Sequence, residues 1–372
     1  MIVRKYFNMK TTLLSGLLLL LAPVVSAQSV TKLAATKAND YGLVYSLPRT
    51  VTEVTLLAEC RIEEPGEFYN YAERYLGSAA ADKAVEKSSI RWQLTGAEIC
   101  VLADVPTGSE TYLMQFKSGN PVYITVNEQG TPLTINAEFE DEIEVEESSL
   151  IGKDLTRSPL DGKSARYAVT EEMLSGSSIA KRAQLAADQI MHLRQSRQDY
   201  LTGQADNMPD GKALEMILAN INAQEEALTA MFLGTVQTKS EVIKVGYIPS
   251  GQSENDVVIS RLNVVKGFVA VDDLSGAPIY LQYQVKSRGE LPKTEKGEDK
   301  KFPKGGVPYC IPGSAEISIE YDNAVKAERE FEVSQLGVVF GLESQFFTNK
   351  KEQGYVIFNP LTGGIREMGT KE

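Results

Sequence analysis

The residue types that most often carry chemistry are sparse in this chain. The one histidine, His192, stands between Met191 and Leu193 in a helix-patterned run, with Arg194 close by and no nucleophile motif in view. A lone histidine cannot build a multi-histidine metal site, and three scattered cysteines do not give the usual zinc spacings. His192 therefore reads as a satisfied or solvent-facing side chain. Ser178-Ile179-Ala180-Lys181 has the Ser-x-x-Lys spacing of penicillin-recognising enzymes at a helix start, yet neither Lys-Thr-Gly nor Ser-Asp-Asn accompanies it. Ser178 is expected to cap the helix instead. The run DNMPDG, with Asp206, Asp210 and Gly211, opens like a calcium loop, but Met208 occupies a central ligand position and Ile217 stands where the bidentate glutamate belongs. It is expected to be an inter-helix turn with Asp210 as cap, and no cofactor or metal is expected.

Carboxylates are the densest functional groups. In EFEDEIEVEE the residues Glu138, Glu140, Glu142, Glu144 and Glu146 alternate with Phe139, Ile143 and Val145, so an extended strand puts five carboxylates on one face. Such a face repels itself unless it meets water, cations or a basic partner. It is either a solvated edge strand protected against aggregation or a docking strip for a basic protein or for the chain's own basic loop. Aromatic side chains offer a weaker signature. Trp92 alternates with Ile90 and Leu94 and reads as core, while the tyrosines between 69 and 75 are the better candidates for a glycan-stacking surface.

The elements that must position these residues fall into three blocks. Residues 41–147 alternate apolar and polar residues in short runs bounded by Gly, Pro and Asn, the pattern of an antiparallel β region. GEFYNYAERYLG interrupts it, with Phe68, Tyr71, Ala72, Tyr75 and Leu76 at helical spacing. From Ile179 the period changes. Positions 179, 183, 186, 190, 193, 197 and 200 form one seam and 214, 217, 221, 224, 228 and 231 a second, with Gly203 and Gly234 as stops. Each helix is expected to be roughly 35 Å long. Leu218 and Phe232 lie beside the second seam and widen its apolar face, so the hairpin must contact a β domain of the same chain or another protein. They are the candidate partner-binding residues on the helices. Residues 235–372 return to period two, broken by SRGELPKTEKGEDKKFPKGG at 287–306, which is expected to be a mobile basic loop. The fold class expected is α+β, mainly β: two antiparallel, sandwich-like β domains (28–155 and 235–372) joined by a long αα-hairpin (170–234). SGAPIYLQYQ at 275–284 echoes SGNPVYITVN at 118–127; the match fades outside these runs, which favours recurrent hairpin chemistry over duplicated domains.

At the amino terminus a basic flank (Arg4, Lys5, Lys10) precedes the apolar run Leu13–Val25 and then Val25-Ser26-Ala27, a secretory signal peptide with cleavage expected after Ala27. No cysteine stands directly after the cleavage site, the first being Cys60, so lipid anchoring is not expected, and no later run is long enough for a transmembrane helix. Removing residues 1–27 leaves 35 basic against 50 acidic residues, a net charge of -15. Nucleic acid is an improbable partner for such a surface. Cys60 and Cys100, both in apolar strand-like runs, either pair or serve as small buried hydrophobes.

LRQSRQDYLTG, EEALTAMFLG, YNYAERYLG, VDDLSGAPIYL, VPYCIPGSAEISI and YVIFNPLTGGI together resemble domain-of-unknown-function family 4831, exported proteins of Bacteroidota-type bacteria with no established activity. The resemblance implies export and a Gram-negative envelope setting, periplasmic or extracellular, and supplies no catalytic residue. The reading is a non-enzymatic exported protein that binds or scaffolds an envelope protein. The alternative is a glycan-binding protein, or a glycan hydrolase working with two carboxylates.

Overall fold

The computed structural model describes residues 43–107, 109–114, 122–138, 147–349 and 351–371. The expected signal peptide and Glu140, Glu142, Glu144 and Glu146 lie outside them. The elements in chain order are β1 (Leu43–Ser46), β2 (Arg49–Glu64), α1 (Ala72–Leu76), α2 (Ser78–Ala81), β3 (Ser89–Asp104), β4 (Thr111–Met114), β5 (Ile124–Val126) and β6 (Pro132–Ile135). Then come α3 (Lys163–Ala168), α4 (Glu171–Ser175), α5 (Ile179–Thr202), α6 (Gly211–Leu233), β7 (Thr235–Tyr247), β8 (Glu254–Asn263), β9 (Gly267–Val269) and β10 (Ala277–Ser287). The chain closes with β11 (Val307–Tyr321), β12 (Ala324–Leu342), α7 (Ser344–Thr348), β13 (Gln353–Phe358) and β14 (Ile365–Lys371).

The protein is mixed α and β with several antiparallel sheets. Their strand orders are β3-β2-β7, β12-β11-β10-β8-β9, β14-β13-β6-β5 and β1-β4. These sheets do not respect the two expected β domains. β7 pairs with β2 from Thr52 opposite Tyr247 to Glu64 opposite Thr235, and β13 pairs with β6. The physical reason is edge closure: β2 pairs with β3 on one side, and its other row of N–H and C=O groups needs a partner that only β7, far along the chain, supplies. One interior lies between the three-stranded and five-stranded sheets, where Val54, Leu56, Trp92 and Ile99 meet Ile279, Leu281, Ile317 and Val333. It replaces the separate cores of two sandwich-like domains.

β3 keeps that interior filled by changing parity. Trp92 and Leu94 point inward at even positions, then Ile99 and Val101 at odd ones. The register shift between Leu57 and Ala58 leaves Thr95 as an extra residue, a bulge that flips the inward set. Trp92 also holds the turn between β8 and β9, its backbone N–H donating to the Val264 carbonyl at 2.7 Å. Gly267, at φ +84°, lies so close to the indole that a Cβ there would approach within 3.0 Å of it. Of the tyrosines considered for glycan stacking, Tyr71 and Tyr75 are half-buried against the helical core. Cys60 stands opposite Trp92 and Cys100 opposite Glu53, so the two do not face each other, and all three cysteines are buried free thiols.

The second core joins α1 and α3–α6. Ala183, Ala186, Ile190 and Leu193 of α5 and Ile221 and Leu228 of α6 are buried along the expected seams, together with Phe68 and Phe232. Arg197, at a seam position, donates to Glu225 at 2.5 Å and to Asn222 at 3.0 Å. Gly203 ends α5 in the left-handed region at φ 76°, its N–H donating to the Asp199 carbonyl.

The stretch 287–306, expected to be a mobile basic loop, makes local contacts. Lys293 and Asp299 form an isolated bridge and an ion pair at 2.5 Å, and the Phe302 ring meets Phe340 at 6.0 Å. A single aromatic anchor escapes a search for periodic apolar runs. Residues 118–121 of the first echo copy lie outside the described residues; among those described, β10 is an interior strand of its sheet and β5 the edge of another.

A strap at 148–156 crosses the outer face of the three-stranded sheet. Leu150 covers Gly96, where a Cβ would lie 3.1 Å from its Cδ2. The strap then joins the edge of β7, where the Ser240 N–H donates to the Lys153 carbonyl and the Thr156 N–H to the Thr238 carbonyl, both at 2.8 Å. Its start is fixed by Glu98, which accepts from the Ser148 and Ser149 hydroxyls, each at 2.6 Å, and from the Ser149 N–H at 2.8 Å. The Ser148 hydroxyl first, then that of Ser149, holds the Glu98 carboxyl below the usual glutamate range. A depressed folded-state pKa contributes stability above the unfolded glutamate value, and the contribution is lost as pH falls through the folded value. The Ser149 amide resonance should therefore titrate with a midpoint below that of an ordinary glutamate, and Glu98→Gln should abolish that titration; an unchanged titration in the variant would detach the strap from Glu98.

Candidate functional site: an acidic sheet face

The site arises from two strands that alternate strictly. In SAEISIEY of β11, Ala315, Ile317 and Ile319 are fully buried, so Ser314, Glu316, Ser318 and Glu320 must point outward. In AEREFEV of β12, Phe331 and Val333 turn to the core, and Glu328, Glu330 and Glu332 are exposed. The register sets Glu316 directly opposite Glu330, Ser318 opposite Glu328 and Ser314 opposite Glu332. β10 extends the face with Tyr280, Gln282 and Gln284, opposite Glu320, Ser318 and Glu316.

Lys286 pairs with Glu316 at 2.9 Å, and its ammonium pKa is raised by that bond first and then by the charges of Glu316, Glu330 and Glu328. Glu332 accepts from the Asn359 side chain at 3.3 Å. Arg329 lies between Glu328 and Glu330 in sequence but turns inward and donates to the Ile99 carbonyl at 2.9 Å. Like charges directly opposite one another destabilise a sheet by roughly 0.2–1 kcal/mol per pair. The arrangement is suited to receiving a cationic surface, because each carboxylate neutralised there also relieves repulsion.

The residues singled out from the sequence fare differently. Phe232 is fully buried, with the Phe68 ring at 5.4 Å and the Tyr75 ring at 6.3 Å; this corrects its expected role at a partner surface, since the chain itself covers it. Leu218 is half-buried on α6, and Glu138 is exposed just after β6. His192 is exposed on α5. Asp210 precedes α6 without a side-chain capping bond. Ser178 caps α5, its hydroxyl accepting from the Lys181 N–H at 3.2 Å. Ser178→Ala should cost about 1 kcal/mol in urea unfolding and leave the protein as unreactive toward a labelled β-lactam as before; covalent labelling lost with Ser178 would restore it as a nucleophile. Among the described residues no group of three or more His, Cys, Asp or Glu is placed to hold a metal ion, and no helix is long and apolar enough to cross a membrane.

Glu316, Glu320, Glu328, Glu330 and Glu332 escaped the sequence reading, although the period-two glutamates of EREFEV were there to be read. What the sequence hides is the register that brings two strands' carboxylates face to face. Fold and face together define a mixed α and β protein of antiparallel sheets, one of which carries a glutamate-rich outer face among the described residues. The chain belongs to the family described as a domain of unknown function (DUF4831), whose model matches residues 41–366. No curated protein and no solved structure matches it.

Proposed function

We propose that this protein is exported to the envelope of a Gram-negative bacterium and acts by binding, with the outer face of β10–β12 receiving a basic surface of a partner protein. The observation that carries the reading is Glu316 directly opposite Glu330, flanked by Glu328 and Glu332, with Lys286 paired to Glu316. The signal-like amino terminus and a charge of -12 for the full chain support the setting and the sign of the partner.

A photo-reactive residue in place of Ser318, which lies between Glu316 and Glu320, tests this in growing cells. A protein adduct is expected from Ser318, with a yield that falls as added salt shortens the screening length from about 10 Å at 0.1 M toward 3 Å at 1 M. The same residue in place of the exposed His192 should give none. Adducts from position 192 and none from 318 would move the binding surface to the helices.

A further inference from the structure

A second site lies where the helices meet the three-stranded sheet. Beside the start of β7 a cavity of about 520 Å³ is lined by Arg194, Arg197, Leu233 and Val236, with Glu226 also lining it. The two guanidiniums are fixed by one carboxylate: Arg194 Nε donates to Glu225 Oε1 at 2.6 Å and Arg197 Nη1 to Glu225 Oε2 at 2.5 Å. The Glu225 side chain is only 12% exposed, while those of Arg194 and Arg197 are 43% and 35% exposed. A single arginine would suffice to brace α5 against α6. The pair carries one charge more than Glu225 alone balances, and the terminal nitrogens of Arg194 take no hydrogen bond among the described residues.

We propose that this groove binds a carboxylate attached to an apolar group, such as the C-terminal carboxylate of a peptide ending in an aliphatic residue. Guanidinium donors held in a planar fork match a carboxylate's two oxygens. Fixing them beforehand on Glu225 removes much of the ordering cost of binding. Leu233 and Val236 supply the apolar wall, and the volume falls within the range that small ligands fill. Glu226 repels a second negative charge, so the groove selects monocarboxylates over dianions. This site is independent of the acidic sheet face and opposite to it in charge preference.

The test follows the arginine Nε–H resonances while N-acetyl-Ala-Leu, its C-terminal amide and octanoate are titrated separately. The free acid should shift the Arg194 and Arg197 signals saturably, and the amide should not. Octanoate binding as well as the acid assigns recognition to the carboxylate and any apolar chain; weaker binding assigns it to a peptide terminus. Arg194→Gln should weaken the acid about tenfold or more, the value of one charge-assisted hydrogen bond. Because that variant also loosens the helix pair, Val236→Glu serves as the second: it sits at an exposed position, leaves the clamp intact and places a competing carboxylate in the groove, so a folded V236E protein should not bind. Equal shifts by acid and amide, no shift up to roughly 10 mM, well above a millimolar dissociation constant, or undiminished binding by folded V236E would overturn the proposal.

Discussion

Phe232→Ala should cost about 3–5 kcal/mol of unfolding free energy, the range for emptying a large aromatic from a core. Phe232 lies at the carboxyl end of α6, fully buried, and its ring is enclosed by Phe68 and Tyr75 from the segment after β2. That ring therefore bonds the helices to the amino-terminal region. Leu218, half-buried on the same helix, should behave differently: Leu218→Glu is expected to cost about 1 kcal/mol, typical of a substitution outside a core. Urea unfolding of both purified variants checks the contrast. Equal, small losses would mean that the Phe232 site collapses without cost or that its burial is incidental.

Gly66→Ala should be nearly as damaging, about 1–3 kcal/mol by overpacking. A Cβ at Gly66 would stand 2.3 Å from the Met231 carbonyl oxygen, which is backbone and cannot swing aside. The same carbonyl accepts from the Phe68 N–H at 2.7 Å, so pushing it away also displaces Phe68 from Phe232. The two substitutions share one contact, and the double variant should lose less than the sum of the single losses. Additive losses in the same unfolding series would separate the two sites.

What the sequence displays of this fold is what neighbours in sequence decide. Ser178 at a helix start and Gly203 at a helix end are local chemistry, and both occupy those positions. The seam positions Ile190, Leu193, Ile221 and Leu228 follow from a period of 3.6 residues and are buried. The width of the apolar face of α6 likewise announces that something covers Phe232. Its identity is not local: Phe68 and Tyr75 reach it from far along the chain. Sheet pairing is hidden for the same reason. β2 and β7 are separated by α1–α6, and no residue type in either names the other.

Charge shows the limits most sharply. EREFEV carries an arginine between glutamates and so looks locally neutralised, but alternation sends Arg329 inward to the Ile99 carbonyl and leaves Glu328, Glu330 and Glu332 together on the outside. Period-two reading recovers that separation. It cannot recover Glu316 opposite Glu330, because the register shift between Ile319 and Glu320 lies between that pair and the hairpin turn.

The triple substitution Glu328→Gln, Glu330→Gln and Glu332→Gln tests the central claim most directly, through the yield of the Ser318 adduct together with the unfolding free energy of the isolated protein. Glutamine keeps the size and the acceptor that Glu332 offers to Asn359 while removing three charges. A face kept acidic for a basic partner predicts that the adduct disappears and that the protein gains about 1 kcal/mol as the opposed charges are relieved. An adduct of undiminished yield in a protein no more stable than the parent would contradict it and leave the glutamates as an ordinary solvated surface.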